Sequence, residues 1–221
     1  MEAQPARPDP WPVVGILCAL GFLAVALLVT RRVDLAFDAW FAGLVQGLPV
    51  PVAFWEACSR AGGGTLVVVG AGLVLGAILT RRLRLALIVA GTLLAATFFT
   101  DLVKDYVARP RPPGADLIPT GGFSFPSGHA LNSTATYGLL ALVIWQTDLP
   151  RALRVAIVVV IGALLPILIG LSRIALDVHH PTDVVGGWLA GIAFVAVAAT
   201  LITITHAMER APPATEARPA R

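Results

Sequence analysis

Charge is what this chain has least of. Asp, Glu, Lys and Arg make up 13% of its 221 residues against 57% hydrophobic ones. With a mean hydropathy of +0.83, that balance excludes an ordinary soluble domain. Cysteine is nearly absent: Cys18 falls inside an apolar run and Cys58 in the loop after it, at different depths, so no disulfide is expected. Aromatic residues are few, and no basic cluster is interleaved with them. The net charge of +3 and the pI near 9.4 therefore do not point to nucleic acid; the arginines flank apolar stretches instead. No internal repeat is evident, and the Gly and Pro residues mostly punctuate those stretches. The triplet Asn132-Ser133-Thr134 has the form of a glycosylation acceptor but lies within an apolar run, where it cannot serve as one.

Apolar runs are what the chain has instead. A helix needs about 20 residues to cross roughly 30 Å of hydrocarbon. Six stretches qualify: Trp11–Thr30, Thr65–Thr80, Leu83–Val103, Ala130–Thr147, Leu153–Leu171 and Val184–His206. An all-α bundle of six transmembrane helices is expected, with the short second span recruiting Gly62 to Gly64 or tilting little. The expected organisation is a polar segment over residues 1–10, one membrane domain over 11–206 and a disordered tail over 207–221, whose composition is too poor in apolar surface to offset chain entropy. The first span reads as a retained anchor rather than a removed signal.

Between the first two spans, Phe37, Trp40, Phe41, Leu44, Val45 and Leu48 recur with helical period and form one apolar face, with Asp34 and Asp38 off it. Such a helix either lies at the membrane interface and shapes lipid entry, or packs against the bundle. Basic residues set the expected orientation. With the N terminus cytoplasmic, nine arginines lie inside against four basic residues outside, once Lys104, Arg111 and Arg173 are set aside as residues kept for chemistry. The polar segments that carry the chemistry then face outward.

Those segments sit at the ends of spans: Lys104 to Pro112, Pro126 to His129, and Ser172 to Asp183. They supply three cations (Lys104, Arg111, Arg173), a Ser127-Gly128 pair opening a helix, two histidines (His129, His179) and Asp183. Lys104 acts as a point charge, and Arg111 presents a planar fork for phosphate oxygens. Ser127 reads as an N-cap, and the same helix N terminus is an anion site that Gly128 lets a phosphate approach closely; both readings can hold together. Asp183 follows His179 at i+4, within hydrogen-bond reach, where it would fix the ring tautomer. The neighbouring His180 points elsewhere, because adjacent helical side chains diverge by about 100°. Arg109 is expected to pair with Asp105 at i,i+4, and His206 to be interfacial. A metal site built from His129, His179, His180 and Asp183 is opposed by the three cations, and no second carboxylate is placed to offset them.

The three segments resemble the type 2 phosphatidic acid phosphatase (PAP2) superfamily, whose pattern is K-x6-RP, PSGH and SR-x5-H-x3-D. Here these are Lys104, Arg111 and Pro112; Pro126, Ser127, Gly128 and His129; and Ser172, Arg173, His179 and Asp183. The resemblance implies a helical membrane bundle and a metal-independent lipid phosphatase without cofactor. His179 would be the nucleophile, Asp183 its orienting partner and His129 the acid and base. Lys104, Arg111, Ser127, Gly128 and Arg173 would hold the phosphate. The implied substrate is a lipid phosphate in a bacterial plasma membrane, with polyprenyl diphosphate first, then phosphatidylglycerophosphate or phosphatidate. Vanadate-dependent haloperoxidases share the cradle but are soluble. The alternative class is a non-enzymatic lipid transporter or scaffold, which would carry polar residues within its spans rather than at their ends.

Overall fold

The computed structural model describes residues 9–31, 36–113 and 121–210. Within them the chain is helical: α1 (Trp11–Thr30), α2 (Ala36–Gln46), α3 (Val52–Ala61), α4 (Gly64–Leu79), α5 (Leu83–Val107), α6 (Gly128–Trp145), α7 (Arg151–Val159), α8 (Leu165–Ala175) and α9 (Pro181–Arg210). The proposed polar segment over residues 1–10 and the tail over 207–221 fall largely outside the described residues. Of the tail, residues 207–210 continue α9.

Among the described residues, five helical units are long and apolar enough to cross a membrane: Trp11–Thr30, Val52–Leu79, Leu83–Val107, Arg151–Ala175 and Pro181–Glu209. The sixth expected span, α6, is the most polar because it stands in the middle. It packs against α4, α5, α8 and α9, and Ser133, Thr134 and Thr136 are buried there. Most of these polar groups are satisfied within the bundle: Ser133 and Thr134 donate to the Ala130 carbonyl, and the neighbouring Tyr137 donates to the Ala61 carbonyl at 2.8 Å. Outside, the pattern inverts, with Leu17, Leu20, Val67, Val68, Leu87, Leu94 and Phe98 exposed on the faces that lipid would cover.

Glycine does more than punctuate the spans. On α9, Gly187 and Gly191 form a small-xxx-small step against α6. A Cβ at Gly191 would stand 2.6 Å from Thr134 Cβ and 2.8 Å from the Leu131 carbonyl oxygen, and one at Gly187 2.7 Å from the Ser127 carbonyl oxygen. Only hydrogen fits there, so the two backbones approach closely and the ends of α6 and α9 are held together. The fifth span bears Pro166 two positions into α8. Its missing N–H and bulky ring are accommodated by a π-helical turn, Val160–Leu164, which joins α7 to α8.

The first loop is richer than its periodicity indicated. In α2, Phe41, Ala42 and Val45 pack on Ile174, Val184 and Trp188, while Phe37, Trp40 and Leu44 stay exposed. The expected apolar face is thus divided between bundle and surroundings. Asp38 is buried instead of standing off that face, and Asp34 lies outside the described residues. A further helix, α3, occupies what read as loop. It packs against α8, and the Gly62-Gly63 turn links it to α4, completing the short second span.

Candidate active site

The three polar segments converge at one end of the bundle. A cavity of about 610 Å³ is lined by Lys104, Arg111, Gly128, His129, Arg173 and His179, with Ser59, Gly63 and Gly121 among its other walls. Lys104 comes from the last turn of α5, His129 from the first turn of α6 and Arg173 from the last turn of α8, so the cavity is built from helix ends.

Arg111 is fixed by its own loop. Its Nε and Nη2 donate to the carbonyls of Gly122 and Gly121, and its Nη1 donates to the Val178 carbonyl at 2.7 Å. The same Nη1 lies 3.2 Å from His179 Nε2. A guanidinium has no acceptor, so His179 Nε2 must offer a lone pair and Nδ1 must carry the hydrogen. Burial lowers the affinity of Arg111 for its proton, an effect partly opposed by Asp183. It pushes His179 further, down to about 4; Asp183 raises the value against desolvation while Arg111 and Arg173 lower it again. The imidazole is therefore neutral at physiological pH, and the Nε2 lone pair faces Arg111.

Behind the ring, Ser124 mediates the contact to Asp183. Its hydroxyl donates to Asp183 Oδ2 at 2.5 Å and accepts from His179 Nδ1 at 3.3 Å, while the direct Nδ1 to Oδ2 separation is 3.5 Å. The His180 amide also donates to Oδ2, at 2.8 Å. His179 lines the cationic cavity and His180 does not; His180 donates its backbone N–H to Asp183 and its side chain is half-buried.

Arg109 does not pair with Asp105. Its Nη1 donates to Asp183 Oδ1 at 2.5 Å and to Thr182 Oγ1 at 2.8 Å, and its Nη2 meets Asp38 Oδ2 at 2.7 Å. The cause is local. α5 ends at Val107, and Ala108 takes a left-handed conformation (φ 48°, ψ 40°), which swings Arg109 off the helical face that Asp105 occupies.

Ser127 stands at the N-cap position of α6, yet its hydroxyl caps nothing. The backbone N–H donates to the Asp183 carbonyl at 3.0 Å, and Oγ is buried without a partner among the described residues. Arg173 is similarly under-used: one nitrogen donates to Ser59 Oγ while Nε is buried and has no partner among the described residues. Two buried donors left unpaired are costly in a resting protein and suit a site that binds oxyanions. His129 stands against the α3–α4 turn, where a Cβ on Gly62 would come within 3.1 Å of its ring. Among the described residues no three His, Cys, Asp or Glu side chains gather as a metal-ligand set. His206 lies at the opposite end, beside Arg81, Arg84 and Glu209.

Sequence reading missed Ser124, Ser59, Arg109 and Asp38. Ser124 sits two residues before the PSGH segment and could have been found by its nearness. Nothing local marks Ser59 or Asp38, because Ser59 meets Arg173 114 residues away and Asp38 meets Arg109 and Thr182, 71 and 144 residues away.

The cavity continues sideways. Gly63, Lys104, Gly128 and His129 also line a second, mostly apolar groove of about 770 Å³ between α4, α5 and α6, walled by Leu66, Val67, Val74, Leu75, Leu93 and Leu94.

A family model described as the PAP2 superfamily matches residues 85–206, more than half of the chain. The chain belongs to the PAP2 superfamily. Its fold agrees with that of a solved Bacillus subtilis structure described as a transmembrane PAP2-type phosphatidylglycerolphosphate phosphatase. The TM-score is 0.74 at 21% identity, covering 90% of this chain and 98% of that one. Curated relatives of this PAP2 protein are lipid phosphatases. Phosphatidylglycerophosphatase B of Bacillus subtilis is 34% identical over 46% of this chain and 53% of its own length. Decaprenylphosphoryl-5-phosphoribose phosphatase of Mycolicibacterium smegmatis is 39% identical over 39% of this chain and 43% of its own. Lipid phosphate phosphatase 2 of Arabidopsis thaliana is 32% identical over 42% of each. The chain thus spans about half the length of the curated relatives it matches. Its spanning-length helices and its fold make this PAP2 chain an integral membrane protein.

Proposed function

We propose that the chain is a membrane phosphatase that hydrolyses a lipid phosphate or diphosphate through a phosphohistidine at His179. One observation carries the reading: a cavity with three cations and two histidines opens sideways into an apolar groove. That shape suits a molecule with a phosphorylated head and a hydrocarbon tail. A transporter or scaffold has no need of a neutral histidine lone pair aimed among cations.

In this reading His179 Nε2 attacks phosphorus in line with the lipid oxygen, so that the N–P bond forms as the P–O bond breaks, and His129 gives a proton to the departing oxygen. A phosphate dianion lying among Lys104, Arg111 and Arg173 brings the negative charge that lets His129 hold that proton. Water then attacks phosphorus as the N–P bond breaks, His129 takes the water's proton, and orthophosphate leaves. The cations, Ser127 and the Gly128 amide stabilise the equatorial oxygens, the largest contribution expected. The proposed substrates are polyprenyl diphosphate first, then phosphatidylglycerophosphate and phosphatidate. A panel of these with purified protein tests the order, and absence of phosphate release from all of them would favour the transporter.

Metal independence belongs to the same proposal. Phosphate release should survive excess EDTA and be blocked by vanadate; a magnesium requirement after chelation would sink the covalent route.

Outward placement of the site rests on the arginine asymmetry. In a background lacking Cys18 and Cys58, a cysteine replacing Pro113, exposed at the site end, should react with an impermeant thiol reagent in intact cells. One replacing Asp148, exposed at the other end, should react only after lysis. The reverse pattern would turn the site to the cytoplasm.

A further inference from the structure

We infer that Arg109 and Asp38 are positioning residues for the histidine chemistry: one guanidinium shared between Asp183 and Asp38 fixes Asp183 beside His179 and leaves it net negative charge. The inference rests on the reading of His179 as the nucleophile. Asp38 belongs to α2, outside residues 85–206 matched by the family.

The network is closed and buried. Arg109 spans from Asp183 Oδ1 at 2.5 Å to Asp38 Oδ2 at 2.7 Å, with side-chain exposures of 16% for Arg109, 10% for Asp38 and 0% for Asp183. Asp38 is saturated on its other sides, accepting from the Thr182 amide and the Thr182 hydroxyl, each at 2.8 Å. Thr182 precedes Asp183, so α2 is pinned to the first turn of α9 at the residue next to the one that holds His179. With Oδ1 engaged by Arg109, only Oδ2 remains for Ser124, the His180 amide and the His179 ring. Lysine could not serve equally well, because a point charge lacks the planar fork that reaches two carboxylates through two nitrogens.

Charge counting gives the network its purpose. Arg109 facing Asp183 alone would make a neutral pair beside His179. Adding Asp38 gives two carboxylates to one guanidinium, a net negative charge behind the ring. When Nε2 forms its bond to phosphorus the imidazole becomes cationic while Nδ1 keeps its hydrogen. That cation develops where the surplus negative charge lies, in a buried setting where screening is weak.

The test uses full-length protein in detergent with 4-nitrophenyl phosphate, in a His129→Ala background that isolates phosphorylation as a burst of phenolate. Asp38→Asn and Arg109→Lys should each slow the burst by roughly tenfold to a hundredfold, the range for losing one charge-assisted hydrogen bond. The half-saturating concentration and inhibition by inorganic phosphate should stay within about twofold, since Lys104, Arg111 and Arg173 are untouched. The two changes combined should be slower than Arg109→Lys alone by less than the loss of Asp38→Asn alone, because Asp38 acts largely through Arg109 and beyond it only through its bonds to Thr182. A burst of parental rate in both variants, or losses that multiply, would overturn the inference. Should Asp38→Asn fail to fold, Arg109→Lys decides alone: it keeps the buried cation, and a parental burst rate in it is fatal to the idea. Absence of any burst in the His129→Ala chain, or phosphate release surviving His179→Ala, would overturn the phosphohistidine reading and this inference with it.

Discussion

Replacing His179 with Ala should abolish phosphate release, by roughly 10⁴- to 10⁶-fold as for other nucleophile deletions, and leave no covalent phosphoenzyme with any substrate. His129→Ala should fail differently. It removes proton transfer, worth roughly 10²- to 10⁴-fold, and the loss should depend on the leaving group. A lipid alkoxide needs the proton, whereas nitrophenolate departs without it. With 4-nitrophenyl phosphate the His129 variant should therefore release about one equivalent of phenolate and stall as phosphohistidine, because water still lacks its base. The geometry motivates the assignment: His179 Nε2 is the acceptor facing Arg111 Nη1 at 3.2 Å, with Nδ1 turned to Ser124 and Asp183. A burst in the His179 variant and none in the His129 variant would reverse the two roles.

Gly191→Val should unseat the fold and the site together. The new Cβ would lie 2.6 Å from Thr134 Cβ and 2.8 Å from the Leu131 carbonyl, where backbone cannot yield. Overpacking of this kind costs about 1–3 kcal/mol or more. Ser127 and His129 ride on α6 and Asp183 on α9, so separating the helices also parts the proposed phosphate-binding groups from the proposed nucleophile, His179, and its partner Asp183. Both melting temperature in detergent and activity should drop. Gly91→Val is the control, since its Cβ would meet nothing within 4 Å. If Gly191→Val melted and turned over like Gly91→Val, the close approach of α6 and α9 would have no energetic weight.

Sequence made much of the site legible because chemistry is rare in this chain. Lys104 is its only lysine, and Arg111, His129, Arg173 and His179 stand at the ends of apolar runs where cations and imidazoles are costly without a purpose. Local spacing also brought Asp183 near His179, although His179 precedes α9 and the contact runs through Ser124, with the direct Nδ1 to Oδ2 separation at 3.5 Å. Arg109 shows where such reasoning fails: the same i,i+4 rule assigned it to Asp105, but a single left-handed residue, Ala108, ended the helix first. Asp38 shows the second limit. Its periodicity placed it off the apolar face of α2, which is correct geometry for a helix alone, yet α9 supplies Thr182 and the first-motif loop supplies Arg109, giving a carboxylate reason to be buried.

By itself, then, the sequence determined that this is a helical membrane bundle and which cations and histidines gather at its polar ends, because hydrophobic run length and helical spacing are properties of contiguous residues. Tertiary structure alone decided that the most polar span is central, that glycines set the α6–α9 approach, that Ser124 stands between His179 and Asp183, and that Arg109 joins two carboxylates. Each of these depends on groups brought together from distant parts of the chain. A hydrogen bond or a steric limit acts on distance in space, which sequence spacing does not encode beyond a helical turn or two.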